Sequence, residues 1–345
     1  MTIHVKVTSG DPKLAELLLR QSPNRSGNWG NTQFYVNSCV EKYDWWFVLH
    51  AGALQEPQKA LCDPNHIVFI SMEPSELDTP RAFYKQFSKL VMCDHRIKHP
   101  DVTYFNGTTW WVGIKVKFEG GHKFSPTVSA DYDSLIEMPV PAKKNRISVI
   151  CSNKKFFPGH HKRLQFLERL RSHPISEHID FFGGGHNPIL DKMDAIAPYK
   201  YHLVLENSTI KDYFSEKITD PLLGYALPIY YGCPNINDFF PSDSNIKIDI
   251  DDFEGTVKSL QHALNNDFYQ NNLGSIIEAR NLVLNRFNIF QTMADICKSP
   301  ASKHQICYLK PASQFKHPLH LRLSRKLVQK AARFNILKRL NSSEA

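Results

Sequence analysis

The sequence lacks several features that would assign it to a class at once. No apolar run approaches the roughly 18 to 20 residues of a membrane span, and the opening segment Met1–Val7 predicts a strand rather than the apolar core of a secretion signal. The seven cysteines never form a C-x-x-C pair, and the sixteen histidines include no H-E-x-x-H spacing. We therefore expect a cytoplasmic protein with free thiols, without a disulfide framework or a zinc site.

Acidic residues are missing from most of the C-terminal end. Eleven Lys and Arg residues lie between Ile296 and Ser343, so this segment accounts for more than the whole net charge of +8. After Pro318, apolar residues recur at three- and four-residue steps (Leu323, Leu327, Ala331, Phe334, Leu337). The pattern predicts a basic amphipathic helix that lies on an anionic membrane surface, or alternatively packs on the protein body. Charge confined to a tail disfavours a nucleic-acid surface on the folded body.

The overall amino-acid composition is typical of a globular protein. The chain has 345 residues, 42% apolar and 22% charged, which is enough for about two domains. Short β-rich runs such as Tyr43–Leu49 and His66–Ile70 alternate with helical patterns, so we predict an α/β fold with largely parallel sheets. The segment Pro139–Arg146 is typical of a linker. We predict one domain at 1–140, a second at 141–298 and a basic tail at 299–345.

The stretch 199–241 carries the strongest candidate site. A strand at Tyr201–Leu205 precedes a polar turn, a helix capped by Ser215, and a second short strand at Pro228–Tyr231, which together form a βαβ unit. Ligands of such sheets bind beyond the carboxyl ends of the strands. The polar residues at that position are Asn207, Tyr213, Glu216 and Lys217.

These four side chains suit a sugar nucleotide. An ammonium group near a helix N-terminus can neutralise a diphosphate, and the free N–H groups of the first turn favour the same anion. The carboxylate of Glu216 can accept hydrogen bonds from ribose, and the ring of Tyr213 can stack on a base. The alternative is an ordinary capped amphipathic helix with a solvated Glu216–Lys217 pair.

The sequence of this stretch resembles the donor-binding motif of the family 10 glycosyltransferases, the alpha-1,3/4-fucosyltransferases, and is most similar to bacterial members. The matching residues are Tyr199-Lys200, Glu206-Asn207-Ser208, Tyr213-Phe-Ser-Glu216-Lys217 and Gly232-Cys-Pro234. The resemblance implies a GT-B fold, in which two Rossmann-like domains face a cleft, with the acceptor bound mainly by the first and the donor by the second.

The resemblance also implies an activity. We expect inverting transfer of L-fucose from GDP-fucose to a hydroxyl of a glycan acceptor, on bacterial surface polysaccharide or lipopolysaccharide. Two alternatives stay open: the same fold with another nucleotide-sugar donor, and a non-catalytic glycan-binding protein. An enzyme at the inner face of the cell membrane, bound there by its tail, is the expected setting.

Further donor-site residues follow from the resemblance: Ser152, Asn153, Arg163, Gly183 and Gly184. Arg163 would contact the diphosphate, although His161 and Lys162 beside it leave the register open by a residue, and the basic residues could instead form a solvated helix face. The glycines follow the strand-like run Ile179–Phe182 and would let the backbone approach the ligand closely.

The resemblance places a catalytic base in the first domain. Glu73 follows a buried-looking strand and precedes Pro74, and Glu76 and Asp94 are the alternatives. Trp29 and Trp110 are the candidate acceptor contacts, because indole rings can stack on sugars; packing in the core is the commoner fate of tryptophan.

A D-x-D triplet at Asp249–Asp251, followed by Asp252, could hold a divalent cation in other glycosyltransferases. Here it lies between a strand and a helix, where turn formation and N-capping explain it. Because Lys217 and Arg163 supply positive charge, we expect no required metal or other cofactor, although a divalent cation could stimulate the reaction.

Overall fold

The computed structural model describes residues 1–10, 13–74, 79–105, 109–119, 123–152, 158–183 and 187–316. Three of the residues considered above, Glu76, Asn153 and Gly184, lie outside the described residues. So does the basic amphipathic segment that begins at Pro318.

Most strands of the first half of the chain form one sheet, which is parallel except for one antiparallel strand. The strands of this half are β1 (Ile3–Thr8), β2 (Asn28–Trp29), β3 (Thr32–Val36), β4 (Trp45–Leu49), β5 (Gln58–Cys62), β6 (Ile67–Ile70), β7 (Lys89–Val91), β8 (Val102–Thr103), β9 (Ile114–Glu119) and β10 (Lys123–Val128), and its helices are α1 (Lys13–Leu19) and α2 (Tyr132–Glu137). The sheet has the order β2-β3-β1-β4-β6-β7-β8, and only β2 runs antiparallel to its neighbour. All five residues of β4 are buried, as expected for a central parallel strand covered on both faces.

The second half forms a smaller sheet whose strands are all parallel. Its elements are β11 (Lys144–Ile150), α3 (Pro158–Arg171), β12 (Ile179–Phe182), β13 (Tyr199–Leu205), α4 (Glu216–Leu223), β14 (Leu227–Tyr231), β15 (Ile246–Lys247), α5 (Phe253–Asn265), α6 (Phe268–Asn271), α7 (Leu273–Asn281), α8 (Ile289–Ala294) and β16 (Gln305–Leu309). The order is β12-β11-β13-β14-β15. The unit β13-α4-β14 is the βαβ unit predicted from the sequence.

The chain returns to the first half near its end. Ile289, Phe290 and Met293 of α8 pack in the same core as β1 and β4. Strand β16 pairs antiparallel with β5. The segment that we expected to belong to the second domain up to residue 298 therefore completes the first sheet's core from Ile289 onward.

The two halves also meet where their strands end. His95, four residues after β7, lies 3.0 Å (Nε2) from Oδ2 of Asp212, in the loop that follows β13. The carboxyl ends of both parallel sheets thus face a shared region, which is the GT-B arrangement that the resemblance implied. The predicted α/β fold of GT-B type is confirmed, and the predicted C-terminal helix lies outside the described residues.

Two further expectations can be compared with the structure. All seven cysteines are free thiols, as predicted. Within the described part of the chain, no helix combines the length and the apolar character required to cross a bilayer.

Candidate active site

The side chain of Glu206 lies directly after β13 and is only 1% exposed. Its Oε1 accepts hydrogen bonds from the backbone N–H of Ser215 (2.9 Å) and from the Ser215 hydroxyl (2.6 Å), and its Oε2 lies 3.1 Å from Nζ of Lys217. Ser215 in turn caps α4, because its Oγ accepts from the N–H of Lys217. The predicted N-cap is confirmed, and a buried carboxylate fixes the first turn of α4 against the strand end.

The ammonium group of Lys217 is held among oxygen atoms but is not fully enclosed. Its Nζ lies 3.1 Å from Oγ of Ser215 and 3.8 Å from Oε1 of Glu216, and the side chain is 26% exposed. Burial lowers the pKa of Lys217, but the carboxylates of Glu206 and Glu216 outweigh it, so the pKa is raised above its ordinary value. Lys217 therefore presents a fixed positive charge at the helix N-terminus.

Glu216 belongs to a network of opposite charges at the same place. Nζ of Lys192 lies 3.5 Å from Oε1 of Glu216 and 2.8 Å from Oδ2 of Asp220. Burial opposes ionisation of Glu216, yet Lys192 and Lys217 lower its pKa to about 2. The carboxylate is therefore ionised at neutral pH, as an acceptor for ribose hydroxyls requires.

The buried guanidinium group of Arg163 points to the same strand end. Arg163 is 4% exposed, and one of its terminal N–H groups donates to the carbonyl oxygen of Leu205 at 3.2 Å. Its Nε has no hydrogen-bond partner among the described residues. The neighbouring Lys162 faces elsewhere, because its Nζ lies 2.5 Å from Asp251 and 3.0 Å from the hydroxyl of Tyr231. A buried cation with an unused N–H group favours an anionic ligand.

Several of these side chains line one cavity of about 160 Å³ at the end of β13. Its polar lining residues are Ser152, Arg163, Lys192, His202, Glu216, Lys217 and Asp220. The cavity brings together Arg163 and Lys217, the two phosphate-binding cations that we predicted from separate segments of the sequence. Its chemistry is that of a site for a phosphate group next to a hydroxyl-rich group.

Two glycines in the second half of the chain lie very close to neighbouring backbone. Gly183 has φ +103°, and a Cβ atom there would lie 2.4 Å from the carbonyl oxygen of Cys151. A Cβ at Gly159, in the first turn of α3, would lie 2.0 Å from the carbonyl oxygen of Asn207. Both positions therefore require glycine. The side-chain oxygen of Asn207 is buried without a hydrogen-bond partner among the described residues, so it is available to order a ligand.

Tyr213 is a buried aromatic residue two positions before the N-cap of α4. It is 6% exposed, and burial together with the carboxylates of Glu206, Glu216 and Glu73 raises the pKa of its hydroxyl. Because the charge of Glu73 contributes to this shift, the candidate base lies within electrostatic range of Tyr213. A contact between the Tyr213 ring and a nucleotide stays a prediction.

Glu73 is an exposed residue three positions after the end of β6. Its backbone is held by Ser71, whose Oγ accepts from the Glu73 N–H at 3.3 Å and donates to the Glu73 carbonyl at 3.1 Å. Asp94, one of the alternatives, is buried, and Arg96 binds both of its carboxylate oxygens at 2.7 Å. Of the two described candidates, Glu73 is therefore the exposed residue and Asp94 the buried one.

The two predicted acceptor-contacting tryptophans lie in packed surroundings. Nε1 of Trp29 donates to Oε1 of Gln291 at 2.6 Å, which ties β2 to α8. The ring of Trp110 is 2% exposed and is covered by the guanidinium of Arg20 at 4.1 Å. Acceptor contact by either ring stays a prediction, but their packing favours a structural role, and the exposed indole of this segment is Trp111.

The D-x-D triplet has a local structural role. Asp252 caps α5 by accepting from the N–H of Gly255, Oδ1 of Asp249 accepts from the N–H of Asp251, and Asp251 pairs with Lys162. The capping interpretation is confirmed. No group of three or more His, Cys, Asp or Glu side chains arranged to hold a metal occurs in the part of the chain that the structure describes.

The sequence reasoning missed three charged residues of the site. Glu206 lies in the matched motif, and only its spacing from Ser215 and Lys217 could have suggested that its carboxylate binds both residues. Lys192 and Asp220 carry no such signal, because they are 28 residues apart and meet only in the tertiary structure. Asp220 also accepts from the backbone N–H of Trp111 at 2.7 Å, so it links α4 to the segment before β9.

Comparison with known families agrees with this geometry. Residues 140–272 match the family model described as "Glycosyltransferase family 10 (fucosyltransferase) C-term". The matched range contains Arg163 and the whole stretch from Tyr199 to Pro234. This match covers the segment that carries the motif, and it confirms the resemblance to the family 10 glycosyltransferases.

Individual relatives match over limited lengths. A fucosyltransferase-like protein of Arabidopsis thaliana is 34% identical over 143 residues, which cover 39% of this chain and 26% of that protein. The human GDP-fucose protein O-fucosyltransferase 3 is 44% identical over 50 residues, 14% of this chain and 10% of that protein. The matches thus span about a quarter or less of these relatives. A solved alpha1,3-fucosyltransferase with GDP-fucose is 17% identical, with a TM-score of 0.47, over 88% of this chain and 93% of that one.

Proposed function

We propose that the chain transfers L-fucose from GDP-fucose to a hydroxyl group of a glycan acceptor, with inversion at the anomeric carbon. The observation that carries the proposal is the pair of cations, Arg163 and Lys217, that line one cavity at the end of β13. A diphosphate leaving group is the ligand that such a pair neutralises best. The family match of residues 140–272 supports a nucleotide-sugar donor, and the names of the relatives support fucose.

In the proposed reaction, the acceptor hydroxyl oxygen attacks the anomeric carbon of fucose from the face opposite to the diphosphate. Glu73 takes the hydroxyl proton as the new C–O bond forms, a contribution of about 10²- to 10⁴-fold for general-base catalysis. The bond between the anomeric carbon and the phosphate oxygen breaks, and the electron pair leaves with GDP. Arg163 and Lys217 stabilise the negative charge that develops on this oxygen.

The remaining residues of the site bind the nucleotide. Glu216 accepts from the ribose hydroxyls, since its carboxylate is ionised, and Tyr213 contacts the nucleotide. Asn207 orders the donor through its unpartnered oxygen. Ser152 and Gly183 line the phosphate end, and Asn153 and Gly184 are proposed to act beside them.

The charge on Arg163 and Lys217 also supports a reaction that requires no metal. A divalent cation could still stimulate transfer by binding the diphosphate that these residues leave partly solvated. The proposed acceptors are glycans of the bacterial surface, such as lipopolysaccharide, modified on the cytoplasmic side of the membrane.

Attachment to that membrane is assigned to the basic segment after Pro318. Deletion of this segment should release the protein from vesicles rich in anionic phospholipid, measured by co-sedimentation, without abolishing transfer to soluble acceptors. Equal sedimentation of the full and the shortened chain would contradict this attachment.

The proposal is tested by titrating the purified protein with GDP, GDP-fucose, GDP-mannose and UDP-sugars in a calorimeter, with and without a chelator, and by following transfer to oligosaccharides. We expect GDP-fucose to bind most tightly, to do so in the presence of chelator, and to yield a fucosylated product of inverted configuration. Preference for another sugar would reassign the donor. Absence of nucleotide binding would favour the non-catalytic glycan-binding alternative.

A further inference from the structure

A second cavity, also of about 160 Å³, lies in the first half of the chain and takes no part in donor binding. It opens at the carboxyl ends of β1 and β4, which carry Ser9 and His50. Apolar side chains make up most of its wall: Leu17, Leu18, Leu49, Met72, Trp110 and Ile114. The wall is contributed by α1, two strand ends and the segment before β9, so distant parts of the chain converge on it.

The position of the cavity places it on the acceptor side of the reaction. Met72, in its wall, is the residue directly before Glu73. The part of the wall formed by Trp111 is attached to the donor helix α4, because Asp220 accepts from the backbone N–H groups of Trp111 (2.7 Å) and of its neighbour Val112 (3.2 Å). The cavity wall is therefore connected to the proposed base through Met72 and to the donor helix through Trp111, so an acceptor bound near both lies close to this cavity.

The lining of the cavity discriminates against a sugar ring. A hydroxyl buried against the apolar side chains would lose its water without gaining a partner, which is unfavourable by several kcal/mol per group at the upper limit. The polar lining residues Ser9, Gln21, His50 and Thr109 could bond only those hydroxyls that reach them. An apolar cavity of about 150 Å³, in contrast, accommodates a group of the size of benzene. His50 adds a polar atom at one end, and burial lowers the pKa of its imidazole, which keeps the ring neutral. Trp111, 37% exposed, joins the cavity to solvent and offers an indole face on the way in.

We propose that this cavity is a subsite for an apolar group of about one aromatic ring in size, carried by the acceptor next to the glycan that receives the sugar. The inference rests on the proposed function, because it makes the apolar group part of the acceptor. The chain would then recognise a glycan together with its apolar aglycone, rather than a free oligosaccharide.

The test compares phenyl β-lactoside with methyl β-lactoside, which differ only in the aglycone. Calorimetric titration in the presence of GDP reads binding directly, and KM in the transfer reaction reads it during turnover. We expect the phenyl glycoside to bind about tenfold more tightly, as transfer of one phenyl ring into an apolar site would give. Equal affinities for the two glycosides would overturn the inference, whether or not transfer occurs.

Variants that fill the cavity provide a second test of the subsite. Thr109→Trp or Ile114→Phe introduces an aromatic ring into the wall and should bring the ratio of the two affinities close to 1, with GDP affinity as the control for folding. Lys115→Trp is the matched control, because Lys115 is exposed and lies next to Ile114 outside the cavity. A preference that persists in both filling variants would place the aglycone elsewhere.

The two proposals fail in different ways. Absence of transfer and of GDP-fucose binding, with a preference for the phenyl glycoside that the filling variants remove, would leave the cavity assigned and the proposed reaction rejected. Transfer to both glycosides with the same KM would support the reaction and reject the aglycone subsite.

Discussion

Nζ of Lys217 lies 3.1 Å from Oε2 of Glu206, a carboxylate with only 1% of its surface exposed. The buried acid fixes the position of the cation that the proposed reaction requires and keeps it charged. Because Oε1 of the same carboxylate accepts both hydrogen bonds from Ser215, one side chain organises the helix cap and the phosphate-binding ammonium together.

Replacement of Glu206 by Gln should weaken nucleotide binding at alkaline pH. A neutral amide cannot stabilise the ammonium of Lys217, and an opposite charge at this distance shifts a pKa by about 1 to 3 units. The raised pKa of Lys217 would fall, so the loss of GDP affinity with rising pH should begin about one pH unit lower than in the wild type. GDP affinity measured from pH 7 to pH 10 checks this, with the exposed Asp243→Asn as control. Identical pH profiles would show that Glu206 does not set the charge of Lys217.

Arg163 and Lys162 form a natural pair of test and control. Arg163→Ala should weaken GDP binding about 10- to 100-fold, the loss expected for a hydrogen bond between charged groups. Lys162→Ala removes the same charge from the adjacent position but should change GDP affinity by less than about twofold, because exposed ion pairs contribute little. Calorimetric titration of both variants decides the register, and the reverse order of effects would assign the phosphate contact to Lys162.

Glu73→Gln should lower kcat by about 10²- to 10⁴-fold and leave GDP affinity nearly unchanged, because only the proton transfer is affected. Initial rates at saturating donor and acceptor give this value. Asp94→Asn is the informative comparison: it removes the charge of a buried carboxylate that pairs with the half-exposed Arg96, so it should lower the melting temperature while the folded enzyme keeps its kcat within a few-fold. Full activity of Glu73→Gln would remove Glu73 from the role of base.

His202 makes the fold sensitive to acid. It is 4% exposed and shares a 2.7 Å hydrogen bond with Ser148, and burial, with a smaller contribution from Lys192, lowers its pKa to about 3. The unfolded chain takes up this proton as the pH falls below about 6.5, whereas the folded chain does so only near pH 3. The stabilisation present above pH 6.5 is therefore lost progressively between pH 6.5 and pH 3.

The free energy of unfolding should fall by about 2 kcal/mol from this group between pH 7 and pH 5. Urea unfolding at the two pH values measures the change. In His202→Gln, a neutral side chain that can still bond Ser148, the decrease should be smaller by about this amount. An equal decrease in both proteins would mean that other groups account for the acid sensitivity.

Much of the second half could be predicted from the sequence. The βαβ unit around α4, the Ser215 cap and the capping role of Asp252 follow from short-range patterns, because a hydrogen bond between residues two or three positions apart depends mainly on local conformation. The donor motif brought Arg163 and Lys217 into one hypothesis, and the structure places both on one cavity.

Contacts between distant segments could not be predicted in this way. Nothing in the local pattern of Lys192 indicates Asp220 as its partner, and an indole such as Trp110 has the same sequence signal whether it meets a sugar or Arg20. The return of Ile289–Ala294 to the first sheet has the same cause: an apolar face must be covered, but its pattern does not specify which of two cores covers it.

By itself the sequence determined the α/β class, the parallel strands, the free thiols and the identity of the donor motif, since these depend on local conformation, hydrophobic pattern and residue type. The tertiary structure alone decided that a buried Glu206 holds Lys217, that Arg163 rather than Lys162 enters the cavity, and that an apolar cavity adjoins Glu73. Burial and charge pairing depend on which segments are brought together, and that is decided by the packing of the whole chain.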